Sequence, residues 1–277
     1  QFGLPARTPD LTAWHQLVAQ ENAASQSLTI ALVGKYVSSK DAYKSLHEAL
    51  SHAAIANGYS LKIHFLSSES ITADALDQIS PDAILVPGGF GERGIDGKLA
   101  AVSWARNHQV PYLGICFGMQ LAVIEFCRNV LSIPHANSTE LDPSCIEPVV
   151  CLIDELQADQ EEAKNLGGSM RLGSVVDQVD PKAHLADIYQ SKRIDERHRH
   201  RYEVNPAYVE RLEAAGMRVS ARSKSSGFID AVEIVDHPWF IGCQFHPEFN
   251  SKPLKPHPLF ISFLEAAHVY QNRSQTK

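Results

Sequence analysis

Short apolar runs alternate with amphipathic stretches through the first half of the chain. Leu28–Gly34 (LTIALVG) is an apolar run of strand length. Asp41–Gly58 repeats its apolar residues at helical spacing, with Asp41 placed to cap and Gly58 to terminate. Tyr59–Leu66 alternates as a strand does, and a short helix is predicted over 72–79. The pattern then repeats: a strand at AILVP (83–87), a helix at KLAAVSWARNH (98–108), a strand at VPYLGIC (110–116) and a helix at MQLAVIEFCRNV (119–130). Apolar strands separated by helices predict a parallel sheet covered on both faces. The second half changes character. PVVCLI (148–153), MRLGSVVDQV (170–179), RVSARS (218–223), DAVEIVD (230–236) and FIGCQF (240–245) are short strands bounded by turn residues, which suit an antiparallel extension. QADQEEAKNLGG (157–168) reads as an exposed loop, and HPLFISFLEAAHVY (257–270) as a closing amphipathic helix. Ahead of all this, Pro5 and Pro9 break regularity, and Leu11, Trp14, Leu17 and Val18 share one helical face. The expected fold class is α/β: a mostly parallel central sheet with helices on both faces and a small antiparallel extension.

Composition narrows the function classes. The 277 residues are 44% hydrophobic and 21% charged, as in ordinary globular proteins, and the net charge of −7 opposes a general nucleic-acid binder. No apolar stretch is long enough for a membrane span. The five cysteines lack C-x-x-C pairing. They read as reduced thiols of a cytoplasmic protein, one of them reactive.

The glycines at 83–94 (AILVPGGFGERG) pose a question of chemistry. Gly89, Gly91 and Gly94 satisfy G-x-G-x-x-G, the dinucleotide fingerprint. That fingerprint belongs to the first strand–helix turn, with an acidic residue about 20 positions on. Here the glycines follow the third predicted strand, and position 114 is glycine. A turn that offers backbone N–H groups to an oxyanion fits better.

The next strand supplies a nucleophile. In LGICFGMQ, Cys116 stands between Gly114 and Gly118 at a strand–helix junction, the cysteine form of a nucleophile elbow. Small residues at both flanks permit the tight turn, and the N-terminus of the following helix favours thiolate. A buried free cysteine is the bland alternative. CQFHPEF (243–249) supplies a base: His246 and Glu248 face the same way in an extended segment, so Glu248 can orient His246 while His246 activates Cys116. With 13 histidines in the chain, one His near a Glu is weak evidence until its place after an apolar strand is counted. The remaining thiols, Cys127, Cys145, Cys151 and Cys243, lack flanking glycines and read as structural.

PGG, then G-x-C-x-G, then H-P-E, in that order, resemble the class I (triad-type) glutamine amidotransferases. PGGFGERG, GICFGMQLAVIEFCRNV, ANSTE, GGSMRLG, ERHRHRYEVNP and HPWFIGCQFHPEF narrow the resemblance to CTP synthase glutaminase domains, over about residues 28–267. The resemblance implies Cys116 as nucleophile, His246 as base and Glu248 as its orienter. It implies glutamine held by Gly89, Phe117, Gly118, Met119, Gln120, Glu140 and Arg201. Many relatives carry leucine where Phe117 stands, a change that spares the backbone N–H. The domain at 28–277 would release ammonia from L-glutamine through a thioester, for ATP-dependent amination of UTP to CTP by an amidoligase domain of the same polypeptide. Residues 1–27 would be the linker and short helix from that upstream domain. The resemblance further implies no cofactor or metal in this domain, ATP and Mg in the synthetase half, GTP as allosteric activator and a homotetrameric intact enzyme.

Two rivals share some of these features. A free-standing γ-glutamyl hydrolase would have the same triad and glycine turn. A silent binding domain would have lost the triad. ERHRHRYEV (196–204) also admits a zinc or nucleic-acid patch, but no further ligands stand at zinc-like spacing and the acidic total opposes the second. As a strand it would set His198 and His200 on one side and its arginines on the other.

Overall fold

The computed structural model describes residues 9–39, 41–153 and 170–274. The expected loop at 157–168 lies outside them. Among the described residues the elements run α1 (Thr12–Asn22), β1 (Gln26–Gly34), α2 (Lys44–Asn57), β2 (Tyr59–Ser67), α3 (Ala73–Ile79), β3 (Ala83–Val86), α4 (Ile95–His108), β4 (Tyr112–Ile115) and α5 (Phe117–Asn129). The second half holds β5 (Ala136–Ser138), β6 (Glu147–Leu152), β7 (Arg171–Val179), α6 (His184–Tyr189), β8 (Arg193–His200), β9 (Tyr202–Val204), α7 (Val209–Ala214), β10 (Met217–Ser223), β11 (Ile229–Ile234), β12 (Phe240–Cys243) and α8 (Pro258–Ser274).

The main sheet has the order β2-β1-β3-β4-β12-β11-β10-β7-β8. Its first five strands are parallel and the rest pair antiparallel. Side chains alternate across the parallel strands. Leu28, Ile30 and Leu32 join the buried cluster under α2 and α8, while Ala31 and Val33 join the one under α3 and α4. A third cluster packs α5 against α7, β10, β11 and a small sheet of order β5-β6-β9.

Three expectations need correction. The antiparallel extension is not small: it comprises β11, β10, β7 and β8, and a second sheet accompanies it. FIGC does not belong to that extension; β12 is the fifth parallel strand, beside β4. All four of its residues are buried, as a strand covered on both faces requires. Asp41 does not cap α2 with its side chain; the helix starts after Tyr43, without a side-chain cap, and Gly58 ends it at φ 72°. By contrast, Thr72 caps α3 through its hydroxyl. Helix α1 follows Asp10, whose carboxylate accepts from Thr12 N at 3.0 Å, but buries no residue: Leu11, Trp14 and Val18 are exposed.

Register places the chemistry. Val86 pairs with Gly114, and Ile115 with Cys243. The chain therefore leaves β3 into Pro87–Gly89, β4 into Cys116 and β12 into Gln244–His246 at one carboxyl edge, where open α/β sheets bind ligands.

Candidate active site

Cys116 is the sharp corner between β4 and α5. Its φ of 53° and ψ of −106° lie outside the regions an L-residue prefers. Close packing enforces the corner. A Cβ on Gly118 would stand 2.1 Å from the carbonyl oxygen of Val86, and one on Gly114 would stand 2.8 Å from the Gly118 backbone and the Tyr112 hydroxyl. The two glycines thus let α5 lie directly on β3 and β4. The amide of Cys116 donates to Cys243 O at 2.7 Å, tying the corner to β12.

His246 and Glu248 arrive from β12. His246 Nδ1 lies 2.9 Å from Glu248 Oε1, so Nδ1–H donates to the carboxylate and Nε2 is left for the sulfur. Burial would lower the His246 pKa. Hydrogen bonds to Cys116 and Glu248, and the charges of both, outweigh burial and push it up to about 10. The balance favours the protonated imidazolium beside the sulfur. By contrast, burial pushes the Cys127 thiol up to about 12 and raises the fully buried Cys243 as well.

The glycine turn covers the pair. A Cβ on Gly88 would lie 3.1 Å from His246 Cε1 and 3.6 Å from Cys116 Cβ, so Gly88 faces the nucleophile, whereas one on Gly89 would meet Lys98 Nζ and the Phe117 ring. Lys35, at the end of β1, holds the turn by donating to the carbonyls of Phe90 and Gly91. Glu140 Oε1 accepts from Gly91 N at 2.8 Å. Burial raises the Glu140 pKa against the pull of that N–H and of Lys35.

The expected glutamine-binding residues are not all equally placed. Gly89, Phe117, Gly118 and Glu140 border the corner and its turn. Met119 meets the corner through its backbone, whose N–H donates to Cys116 O, while its side chain is wholly buried against Gly242. The Gln120 N–H also donates to Cys116 O, and its side chain bonds Tyr202 O and Gln244 Oε1, both at 3.1 Å. The helical spacing of the first turn turns these two residues inward. Arg201 is exposed at the break between β8 and β9, where its carbonyl accepts from Ile153 N.

Two neighbours of the nucleophile carried no sequence signal of their own. Gln244 Nε2 donates to Cys116 Sγ at 3.5 Å, and Gln120 holds Gln244 in turn. Lys98, from α4, is fully buried beneath the glycine turn. Its Nζ would meet a Gly89 Cβ at 3.2 Å and sits 5.1 Å from the Phe117 ring centroid. Its ammonium finds no hydrogen-bond partner among the described residues, and burial lowers its pKa to about 7.

The arginine–histidine segment behaves as its alternation predicts. Along β8, Arg193, Arg197 and Arg199 are exposed, and His198 and His200 are buried. Tyr202 O accepts from His200 Nδ1–H at 3.1 Å, so His200 Nε2 accepts from His198 Nδ1–H at 2.9 Å. Burial lowers the pKa of both rings, His198 to about 4. Asp230 joins these two histidines in space, making three donors within 4.8 Å of one another that the spacing in sequence could not reveal. They are already engaged. Arg171 holds Asp230 with two hydrogen bonds, at 2.6 and 3.0 Å, and reaches Glu203 at 2.7 Å. A guanidinium thus supplies the cation of this cluster.

The class-I glutamine amidotransferase family model matches residues 39–266. The CTP synthase of Syntrophus aciditrophicus is 48% identical over 267 residues, covering 96% of this chain and 49% of the relative. That of Nitrobacter hamburgensis is 50% identical over 282 residues, 98% of this chain and 51% of the relative. The chain therefore spans about half the length of these curated relatives. Among solved structures, the Trypanosoma brucei CTPS glutaminase domain with bound acivicin is 40% identical, with a TM-score of 0.78, over 87% of this chain and 94% of that one. With this domain matched nearly end to end, the chain belongs to the class-I glutamine amidotransferases and, within them, to the glutaminase domains of CTP synthases.

Proposed function

We propose that this chain hydrolyses L-glutamine to glutamate and ammonia at Cys116. The observation that carries the reading is the His246–Glu248 hydrogen bond of 2.9 Å, set against a cysteine held in a strained corner at the start of α5. The Cys116 thiolate attacks the side-chain amide carbon, forming the S–C bond. The resulting oxyanion takes hydrogen bonds from backbone N–H groups, with Gly89 and Phe117 the proposed donors. As the C–N bond breaks, His246 gives its proton to the leaving nitrogen and ammonia departs. Water then attacks the glutamyl thioester while His246 accepts its proton, and the thiolate leaves as glutamate forms. Glu248 keeps Nε2 of His246 aimed at the sulfur throughout.

In this reading Glu140 receives the substrate ammonium and Arg201 its carboxylate. The ammonia passes to an amidoligase domain of the same polypeptide for ATP-dependent amination of UTP. ATP and Mg, and activation by GTP, belong to that intact enzyme, which we place in the cytoplasm as a homotetramer. No described helix is long and apolar enough to cross a membrane. Residues 1–27, with the open apolar face of α1, are read as the connection to the amidoligase domain. A silent binding domain would have no reason to keep the strained corner and the oriented base together.

Ammonia release from glutamine by the parent chain and by Cys116→Ala tests the reading. The parent should turn over, and the variant should fall to background. Equal release by both would remove Cys116 from the chemistry.

A further inference from the structure

One buried carboxylate beside the site takes no part in the reaction as described. Glu196 lies on the inner face of β8, 2% exposed. Its Oε1 accepts from Tyr189 OH at 2.9 Å and from His257 Nε2 at 2.7 Å, and its Oε2 accepts from Asn250 Nδ2 at 2.8 Å. Leu259 N donates to His257 Nδ1 at 3.2 Å, which fixes the tautomer with the proton on Nε2, facing Glu196. The arginines of β8 point to the other face and do not balance this charge.

The three donors come from places that share one segment or support it. Asn250 ends the 3-10 turn Pro247–Asn250, which begins directly after His246 and contains Glu248. His257 stands at the start of α8, where its carbonyl accepts from Phe260 N. Tyr189 closes α6. Glu196 thus grips both ends of the stretch that runs on from the base and its orienter. The adjacent backbone completes the grip: His246 N donates to Arg197 O at 2.8 Å. Glu248 needs the support, because its second oxygen, Oε2, is buried without a hydrogen-bond partner among the described residues. The turn, more than the carboxylate's own bonds, determines where Glu248 Oε1 stands.

We propose that Glu196 is a positioning residue, clamping the 246–250 turn to β8 so that Glu248 meets His246 Nδ1. The inference rests on the glutaminase reading and adds to it a residue that never touches substrate. The titratable groups facing His246 are Cys116, Glu248 and, from β8, His198 and His200. Those around Glu196 are Tyr189, His257, Asp177, His198 and Cys243.

The test uses Glu196→Gln in the full-length polypeptide. Glutamine keeps the shape but turns one acceptor into a donor, which then confronts Asn250 Nδ2 or the His257 and Tyr189 protons. The expected result is a fall in kcat of about 10-fold or more, with KM for glutamine changing less, as for an interaction realised in the transition state. The alkaline limb of kcat/KM, set by His246, should move to lower pH as its bond to Glu248 loosens. Adding Asn250→Asp should restore both, because the amide introduced on β8 can then donate to the carboxylate introduced in the turn, while its oxygen still serves His257 and Tyr189. Should Glu196→Gln fail to fold, Asn250→Ala, which leaves Tyr189 and His257 on Glu196, should give the same loss and the same shift. An unmoved alkaline limb, or a loss that Asn250→Asp does not restore, overturns the proposal. A parent enzyme that releases no ammonia overturns the glutaminase reading instead.

Discussion

Cys116 holds a conformation that few non-glycine residues adopt, and neighbouring residues hold it there. Its sulfur accepts from Gln244, its ring partner is His246, and its amide is tied to β12. The His246 pKa is raised, so its imidazolium persists until pH rises through about 10. Replacing Glu248 by Gln removes one of the groups that raise it. The alkaline limb of kcat/KM should then shift to lower pH and kcat should drop by about 10²-fold or more. A pH–rate series on the two proteins checks this.

Lys98 is a second residue-scale case, with the opposite sign. Its folded-state pKa of about 7 lies below the ordinary lysine value, so burial penalises the charged form. The penalty is full below pH 7, where both folded and unfolded states carry the charge. It lifts as pH rises from about 7 to about 10.5, where only the unfolded state still holds the proton. Lys98→Met should therefore stabilise the chain, by at most about 5 kcal/mol at neutral to acidic pH. The gain should vanish toward pH 10.5, as read by urea unfolding across pH. Neither Lys98 nor Gln244 was legible in the sequence. One sits on a helix that reads as ordinary, and the other gains its role only when β12 lies beside β4.

At the scale of elements, the parallel β/α half was legible because its central strands are buried apolar runs and its edge strand β2 alternates. The elbow was legible because glycines at 114 and 118 answer a steric need that can be read without coordinates. The same contact gives a prediction. A Cβ at position 118 would stand 2.1 Å from Val86 O, so Gly118→Ala must push α5 off β3. It should cost about 3 kcal/mol or more in thermal or denaturant unfolding, together with most of the activity. What the sequence hid was pairing between distant strands. FIGC looks like its antiparallel neighbours, and only register with Tyr112–Ile115 shows that it runs parallel beside β4 and brings His246 to the elbow. In β8 the alternation of arginine and histidine was readable, but not Asp230 and Arg171, which come from β11 and β7. The inward turn of Met119 was hidden too, because a motif carries every residue along it, whereas a helix points some of them at the core.

For the whole molecule, the proposed triad and the glycine turn gather at the carboxyl edge of the parallel strands, while Glu140 and Arg201 come from beyond the small sheet's β5 and the antiparallel β8. The chain spans about half of its CTP synthase relatives, and Leu11, just before α1, and Trp14 and Val18 on it are exposed. On the proposed reading the site feeds another domain, and such a site should work slowly alone. Ammonia release by the chain on its own should rise when the amidoligase half of the polypeptide is supplied; full turnover without that half, unresponsive to its addition, would show a self-sufficient hydrolase. The central claim, that Cys116 attacks a glutamine side chain, is tested most directly by a glutamine-like diazo-ketone followed by peptide mapping. The account predicts one adduct, on the peptide carrying Cys116, formed more slowly when glutamine is present. An adduct on Cys127, Cys145, Cys151 or Cys243 instead, or labelling indifferent to glutamine, would contradict it.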